Sequence, residues 1–350
     1  SLSYLVIMFT APVLGIIADS CRAKKRFLFI TTLGCGFFTI MLSIVGQGDV
    51  FLAVALIVIA NFFFGTGENI IAAFLPELAR PKSLGKVSGW GWAIGYLGGL
   101  FTLTICLLYL TSEKIEDARV SHTMIITGIV FLLASTPTFM FLKERGKKKE
   151  GIANNLRDGY RLLKVSLSNL KSFYDLKIFL ICLVIYQAGI QAVITLAAVY
   201  ANQAMGFSTA DTISLILVVN VTASIGAFVF GQFEDRVGHK FTLSLTLIGW
   251  VLTVVIAYYS VDRNVFWIAA NLAGICLGAS QSAGRALVAY FSPSNQEGEF
   301  LGLWGLAVKC SSILGPITYG IVVWLSEGNH RQALLSLVAY FIVGLIILSK

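Results

Sequence analysis

The 350-residue chain is 57% hydrophobic and only 13% charged, with a mean hydropathy of +0.83. A soluble globular domain carries about 25% charged residues, so a large water-soluble α-protein is excluded: its helices would need polar faces that these lack. The net charge of +8 does not point to nucleic acid either, because the basic residues are confined to alternate loops.

Apolar runs follow one another along the whole sequence. The first five are Leu2 to Ala18, Phe27 to Gly46, Val50 to Leu75, Val87 to Leu110 and Met124 to Leu142. Six more run Ile178 to Met205, Thr212 to Phe233, Phe241 to Tyr259, Val265 to Phe291, Phe300 to Leu325 and Ala333 to Leu348. A helix needs about 20 apolar residues to cross about 30 Å of hydrocarbon, so the pattern predicts eleven transmembrane helices in an all-α membrane protein. Loops rich in Lys and Arg (Arg22 to Arg26; Arg80, Lys82 and Lys86; Lys143 to Lys177) alternate with loops that carry only Lys114, Arg119, Arg263 and Arg331. That bias places the basic loops in the cytoplasm, in a cell inner, plasma or vacuolar-type membrane.

The sequence repeats itself. Gly15-Ile-Ile-Ala-Asp19 returns as Gly231-Gln-Phe-Glu-Asp235, and GENIIAAFLP from Gly67 returns as GRALVAYFSP from Gly284, at offsets of 216 and 217. Beyond each proline lies a Gly- and Trp-bearing segment, GKVSGWGWA from Gly85 and GEFLGLWGLA from Gly298. Agreement between two separate matches indicates duplication. One full span precedes the Gly-xxx-Asp motif in the second copy, whereas the first copy follows the first visible helix. The expected whole is therefore two six-helix halves with one helix preceding Ser1, the architecture of major facilitator transporters. The halves are residues 1–143 (helices 2–6) and 176–350 (helices 7–12). Between them, residues 144–175 form a cytoplasmic linker in which Ile152, Leu156, Tyr160, Leu163, Leu167, Leu170 and Phe173 recur at helical spacing among basic residues. This pattern predicts an amphipathic helix on the membrane surface, with partner binding as the alternative.

Gly15 and Gly231 are small enough for close helix contact. Asp19 and Asp235 can accept bonds from a neighbouring helix N-terminus or from the basic residues that follow them, Arg22 and Arg236 among them. Such contacts can form in one conformational state and break in the other, so these four residues are the candidate gating set.

Three charges lie within spans, where they are costly and face a partner or a water-filled cavity: Glu68, Arg285 and Lys309. Glu68 and Arg285 each stand eight residues before the repeat's proline, and Lys309 lies at similar depth, about 12 Å from the cytoplasmic end. Asn61, Gly65 and Glu68 share one helix face, and Gly274, Gly278, Gln281 and Arg285 form a small and polar stripe on another; Gln187 and Gln191 form an i, i+4 pair. One reading is a structural Glu68–Arg285 ion pair. The other is substrate binding or coupling by all seven polar and charged residues, with Lys309 tipping the balance toward a carboxylate or another anion. The six cysteines are scattered without a CxxC pair, and no hydrolase triad, phosphate loop or metal spacing occurs. No cofactor, metal or enzymatic activity is expected.

The stretch LPELARPKSLGKVSGWGWAIGYLGG (Leu75 to Gly99), with QSAGRALVAYFSP and GEFLGLWGLAVKCSSILGP, resembles the vacuolar amino-acid effluxer family and its bacterial relatives. The matching positions are Pro76, Glu77, Gly85, Ser88, Gly89, Gly91, Trp92, Gly95 and Tyr96, then Arg285, Glu299, Gly302, Lys309, Gly315 and Pro316. The family's Tyr-Asn pair is replaced here by Ile71-Ala72, and Glu68 is not part of its pattern. The resemblance implies a twelve-helix facilitator that exports amino acids from a lumen to the cytosol.

The expectation is secondary active transport of a small polar solute, an amino acid or related carboxylate first. Membrane lipid surrounds the protein, a proton or sodium ion is the candidate coupling ion, and nucleic acid has no part. A multidrug or sugar-type facilitator remains open, as does a non-transporting membrane sensor or scaffold.

Overall fold

A computed structural model describes residues 2–111, 119–145, 158, 161, 173–293 and 297–349. Among them the secondary structure is entirely helical. Five long helices come first: α1 (Leu2–Cys21), α2 (Lys24–Met41), α3 (Val50–Ala72), α4 (Leu84–Thr111) and α5 (Arg119–Phe141). Then follow α6 (Tyr174–Met205), α7 (Thr209–Val237), α8 (His239–Tyr259), α9 (Arg263–Phe291), α10 (Glu297–Leu325), α11 (His330–Ser336) and α12 (Val338–Ser349). Taking α11 and α12 as one span, eleven are long and apolar enough to cross a membrane. In hydrocarbon every backbone N–H and C=O must be paired within the segment, which helices alone achieve for such runs.

Several helices outrun their apolar stretches. α6 starts at Tyr174, α7 continues through Glu234 and Asp235 to Val237, and α10 starts at Glu297. At the start of α7, three residues before its apolar run, the cause is a local cap, which hydropathy does not register. Ser208 begins α7 by accepting from the Asp211 N–H at 3.2 Å, while its own N–H donates to the Asp211 carboxylate at 3.0 Å, a reciprocal cap that satisfies two otherwise orphaned donors. Between α7 and α8, Gly238 turns the chain at φ 96°, a conformation open to glycine at little cost. The last span tightens at Leu337, whose N–H donates to the Leu334 carbonyl and whose carbonyl accepts from the Tyr340 N–H, both at 3.1 Å. The expected amphipathic helix falls on residues 152–173, outside the described residues apart from positions 158, 161 and 173.

The chain packs as two compact bodies. The first comprises described residues within 1–77, 98–168 and 292–306, and the second those within 78–97, 169–291 and 307–350. In the first body α2 packs against α3 and α5, and α1 against α3. Its core gathers Leu28, Ile70, Phe74 and Leu142, with Phe27, Ile71 and Phe139 against them. In the second body α9 lies against α7 and α8, and α12 against α6 and α8. A Cβ at Gly278 would strike the Ala223 carbonyl on α7, and one at Gly226 the Ile275 carbonyl on α9, so small residues bring these two backbones together as in other membrane helix pairs. The small and polar stripe of α9 therefore divides: Gly274 and Gly278 serve packing on α7, while Gln281 and Arg285 carry the polar contacts. Trp250 stacks on Phe341 with centroids 5.5 Å apart, and Tyr186, Leu183, Leu243 and Leu247 are fully buried beside this core.

Candidate functional site

In the first body, Asp19 sits in the last turn of α1 against the first turn of α10. Its Oδ2 accepts from the N–H of Gly298 at 2.6 Å and of Glu299 at 3.2 Å. The opening N–H groups of a helix lack intrahelical partners and carry the positive end of its dipole, so a carboxylate there is doubly favoured. The approach depends on two glycines: a Cβ at Gly298 would meet Asp19 Oδ2 at 2.6 Å, and one at Gly15 would strike the Gly298 carbonyl.

The other oxygen of Asp19 pairs with Lys24 Nζ at 2.8 Å, and that ammonium also donates to Glu77 Oε1 at 2.9 Å. Lys24 is 3% exposed, so its charge is compensated by two carboxylates. Glu77 Oε2 accepts from the Arg145 N–H at 2.7 Å. Glu144 caps α2 by accepting from the N–H of Lys24 at 3.0 Å. Arg22, held at φ 52° between α1 and α2, donates to the Glu144 carbonyl at 3.3 Å.

The second body contains the repeat of this seat with the partner taken from the other half of the sequence. Asp235, near the end of α7, accepts from the N–H groups of Gly85 and Lys86 in the first turn of α4, each at 2.9 Å. A Cβ at Gly231 would meet the Gly85 carbonyl and Gly89 Cα at 2.8 Å. Glu234, the residue before Asp235, is buried and pairs with His239 Nδ1 at the start of α8. Arg236 is exposed, and Lys240 donates to the Ser349 carbonyl at 3.3 Å.

The second body also gathers part of the polar set. Gln187 on α6 donates to Gln281 on α9 at 2.9 Å, both buried. One turn further, Arg285 donates from Nε to Ser88 Oγ at 3.1 Å and from Nη2 to the Ser88 carbonyl at 2.9 Å. Its guanidinium lies 5.4 Å from the Trp92 ring centroid, a cation–π arrangement. Lys309 is buried on α10 and Gln191 half-buried on α6. In the first body Glu68 is half-buried on α3, and Asn61 donates to the Ile57 carbonyl of its own helix at 3.0 Å.

Beside Gln281 a cavity of about 360 Å³ opens within the second body. Aromatic side chains shape it (Trp92, Tyr96, Tyr200, Trp250, Phe266 and Tyr319), with Asn220, Thr253 and Gln281 as polar points and no charged side chain among the described residues that line it. The sequence marks Trp92 and Tyr96 through the family resemblance. Trp250, Tyr200 and Tyr319 leave no signal, since an aromatic residue in an apolar span looks the same in a wall as in a core. Glu144 is equally unmarked, a loop acid until it meets the first turn of α2, whereas Lys24 is one of the basic residues following Asp19 from which the sequence predicts a bond.

Comparisons with known proteins bear on the family and the fold. An uncharacterized MFS-type transporter, YxiO, of Bacillus subtilis (strain 168) is 25% identical over 358 residues, covering 100% of this chain and 82% of the relative. Autophagy-related protein 22 of Vanderwaltozyma polyspora is 23% identical over 85% of this chain and 66% of its own length, so the chain spans about two thirds of that yeast relative. Among solved structures, the human organic anion transporter MFSD10 (TETRAN) superimposes with a TM-score of 0.78 over 99% of this chain and 82% of that one, at 16% identity. Eleven membrane-length helices in this fold define an integral membrane transporter of the major facilitator superfamily. Within it, the chain belongs to the family described as vacuole effluxer Atg22 like, which matches residues 1–350.

Proposed function

We propose that the chain is a secondary active transporter that moves a small polar solute, an amino acid or related carboxylate, by alternating access. In this reading residues 1–143 and 176–350 are the transporting halves and 144–175 the linker. Asp19, Arg22, Asp235 and Arg236 belong to the cytoplasmic gate. Arg285 and Lys309 are the candidate cations for a substrate carboxylate, with Gln187, Gln191 and Gln281 as polar partners. Glu68, with Asn61 on the same helix face, is the candidate for an ammonium group or a coupling proton.

The observation that carries the reading is the reciprocity of the two carboxylate seats. A first-half aspartate holds the N-terminus of a second-half helix, and a second-half aspartate holds that of a first-half helix. Contacts of this kind, few and polar, can be made in one state and released in the other, as a hinged transporter requires. The family description, which names an effluxer, supports transport of a solute; the choice of an amino acid or related carboxylate follows from the family resemblance in the sequence and from the candidate cations Arg285 and Lys309.

A second reading draws on the cavity. Its aromatic wall, uncharged among the described residues, favours an uncharged solute that can lie against aromatic rings, as a multidrug or sugar-type facilitator would carry. The two are separated by a metabolite-wide thermal-shift screen on the purified protein, followed by flux of each hit into proteoliposomes, since a ligand that binds the native state stabilises it. Amino acids that raise the melting temperature and cross the membrane support the first reading. Stabilisation and flux confined to uncharged organic solutes support the second, and flux of nothing tested leaves a sensor or scaffold.

A further inference from the structure

The seat at Asp235 contains a pair that its counterpart lacks. Aligned on the repeat, Glu234 corresponds to Ala18 and His239 to Ala23, so the second copy alone carries a carboxylate and an imidazole beside its aspartate. Glu234 is 1% exposed. One of its oxygens pairs with His239 Nδ1, while Oε2 has no hydrogen-bond partner among the described residues. That second oxygen points at the helix Asp235 holds: a Cβ at Gly85 would meet Glu234 Oε2 and Asp235 Oδ1, each at 2.9 Å. Two carboxylates thus converge on the first turn of α4, and a single imidazole answers them.

Other charged and titratable groups nearby leave this balance in place. On α4, the Lys86 ammonium is turned over the Trp90 ring, 4.9 Å from its centroid. On α8, Lys240 donates to the Ser349 carbonyl in the last turn of α12, and Arg236 on α7 is exposed. Tyr186 on α6 lies within electrostatic range of Glu234, and the Tyr290 ring on α9 is 5.4 Å from the His239 ring. Both are phenols, uncharged at neutral pH.

We infer that Glu234 and His239 form a proton-binding site that sets how firmly Asp235 holds the N-terminus of α4. The inference rests on the reading of Asp235 as a gating contact and adds the ligand that governs it. Histidine changes charge between about pH 5 and 8, and in a coupled pair the proton belongs to both groups. Whether it resides on the imidazole or on the carboxyl, its uptake removes one negative charge from the cluster facing α4. The helix N-terminus carries the positive end of the dipole, so the hold weakens as pH falls and strengthens as pH rises. At Asp19 the answering cation is Lys24, charged throughout this range, and that seat has no such dependence.

The test is amide hydrogen exchange of the full chain in nanodiscs between about pH 8 and pH 5.5, read at Gly85 and Lys86 and corrected for the intrinsic pH dependence of exchange. In the native protein, protection should fall about fivefold on acidification, the size expected for one charge near a helix terminus, while protection at Gly298 and Glu299 stays constant. The double variant Glu234→Gln with His239→Gln should give a flat profile. The variant His239→Lys, carrying a permanent charge, should stay at the acid-side protection at every pH. A flat native profile, or the same fall in the double variant, overturns the proton site. Asp235→Asn separates this from the underlying reading: it should lower protection at all pH values, and an unchanged value there would remove the Asp235 contact itself.

Discussion

The two carboxylate seats follow one sequence plan and differ in what surrounds the carboxylate. At both, a glycine four residues before the aspartate lets the helices close, and the aspartate accepts two N–H groups of a helix's first turn. Asp19 is also bound by Lys24, which reaches on to Glu77, and Glu77 in turn holds the backbone of Arg145. Among the described residues Asp235 has no such chain of charges; beside it stands the Glu234–His239 pair. The first seat is therefore tied into its body by a shared lysine, and the second stands beside a carboxylate–imidazole pair. Duplication supplied the same contact twice, and divergence at Ala18/Glu234 and Ala23/His239 gave the copies different chemistry.

The difference is broken most strongly at the lysines. Lys24→Ala should leave Asp19 and Glu77 buried without their shared cation, and loss of one partner from a buried ion network costs about 3–5 kcal/mol. Lys240→Ala, at the corresponding repeat position, removes an exposed side chain bonded to the Ser349 carbonyl and should change stability by no more than about 0.5 kcal/mol. Denaturant unfolding of both variants in the same detergent checks the contrast; equal losses would mean that the charge chain around Asp19 contributes nothing.

A smaller effect is expected at the glycines. Gly298→Ala puts a methyl group 2.6 Å from Oδ2 of an Asp19 carboxylate that Lys24 holds by its other oxygen, whereas Gly85→Ala puts one 2.9 Å from Asp235, which has no lysine on it among the described residues. Overpacking of this kind costs about 1–3 kcal/mol, with Gly298→Ala the more damaging. Melting temperatures of the two variants decide it, and the reverse order would contradict the assignment of the stiffer seat to Asp19.

The spans and the two motifs were readable from sequence because each rests on a constraint that leaves a mark in one dimension. Hydrocarbon demands about 20 apolar residues per crossing, and Leu2 to Ala18 or Phe241 to Tyr259 could not be hidden. Gly15 and Asp19 are marked by their return at Gly231 and Asp235. The repeat also pairs the segments from Gly85 and Gly298, yet nothing in it says that each seats the aspartate of the other copy, because that exchange is a fact of packing. Glu144 is a plain loop acid until α2 presents its N–H groups. The stripe through Gly274, Gly278, Gln281 and Arg285 reads as one polar face, and only the proximity of α7 divides it into packing and polar ends. The cavity was the least legible part, since its wall is built from residue types that fill every other span.

The central claim, that reciprocal aspartate contacts gate transport, is tested most directly by Asp235→Asn in proteoliposomes, using whichever solute the binding screen identifies. The asparagine keeps the shape and loses the charge that strengthens both bonds to α4, a loss of about 1.5 kcal/mol or more. Destabilising one end state in this way should lower the transport rate about tenfold while leaving the solute's thermal-shift affinity unchanged. A transport rate equal to that of the native protein, at equal incorporation, would contradict the gating role.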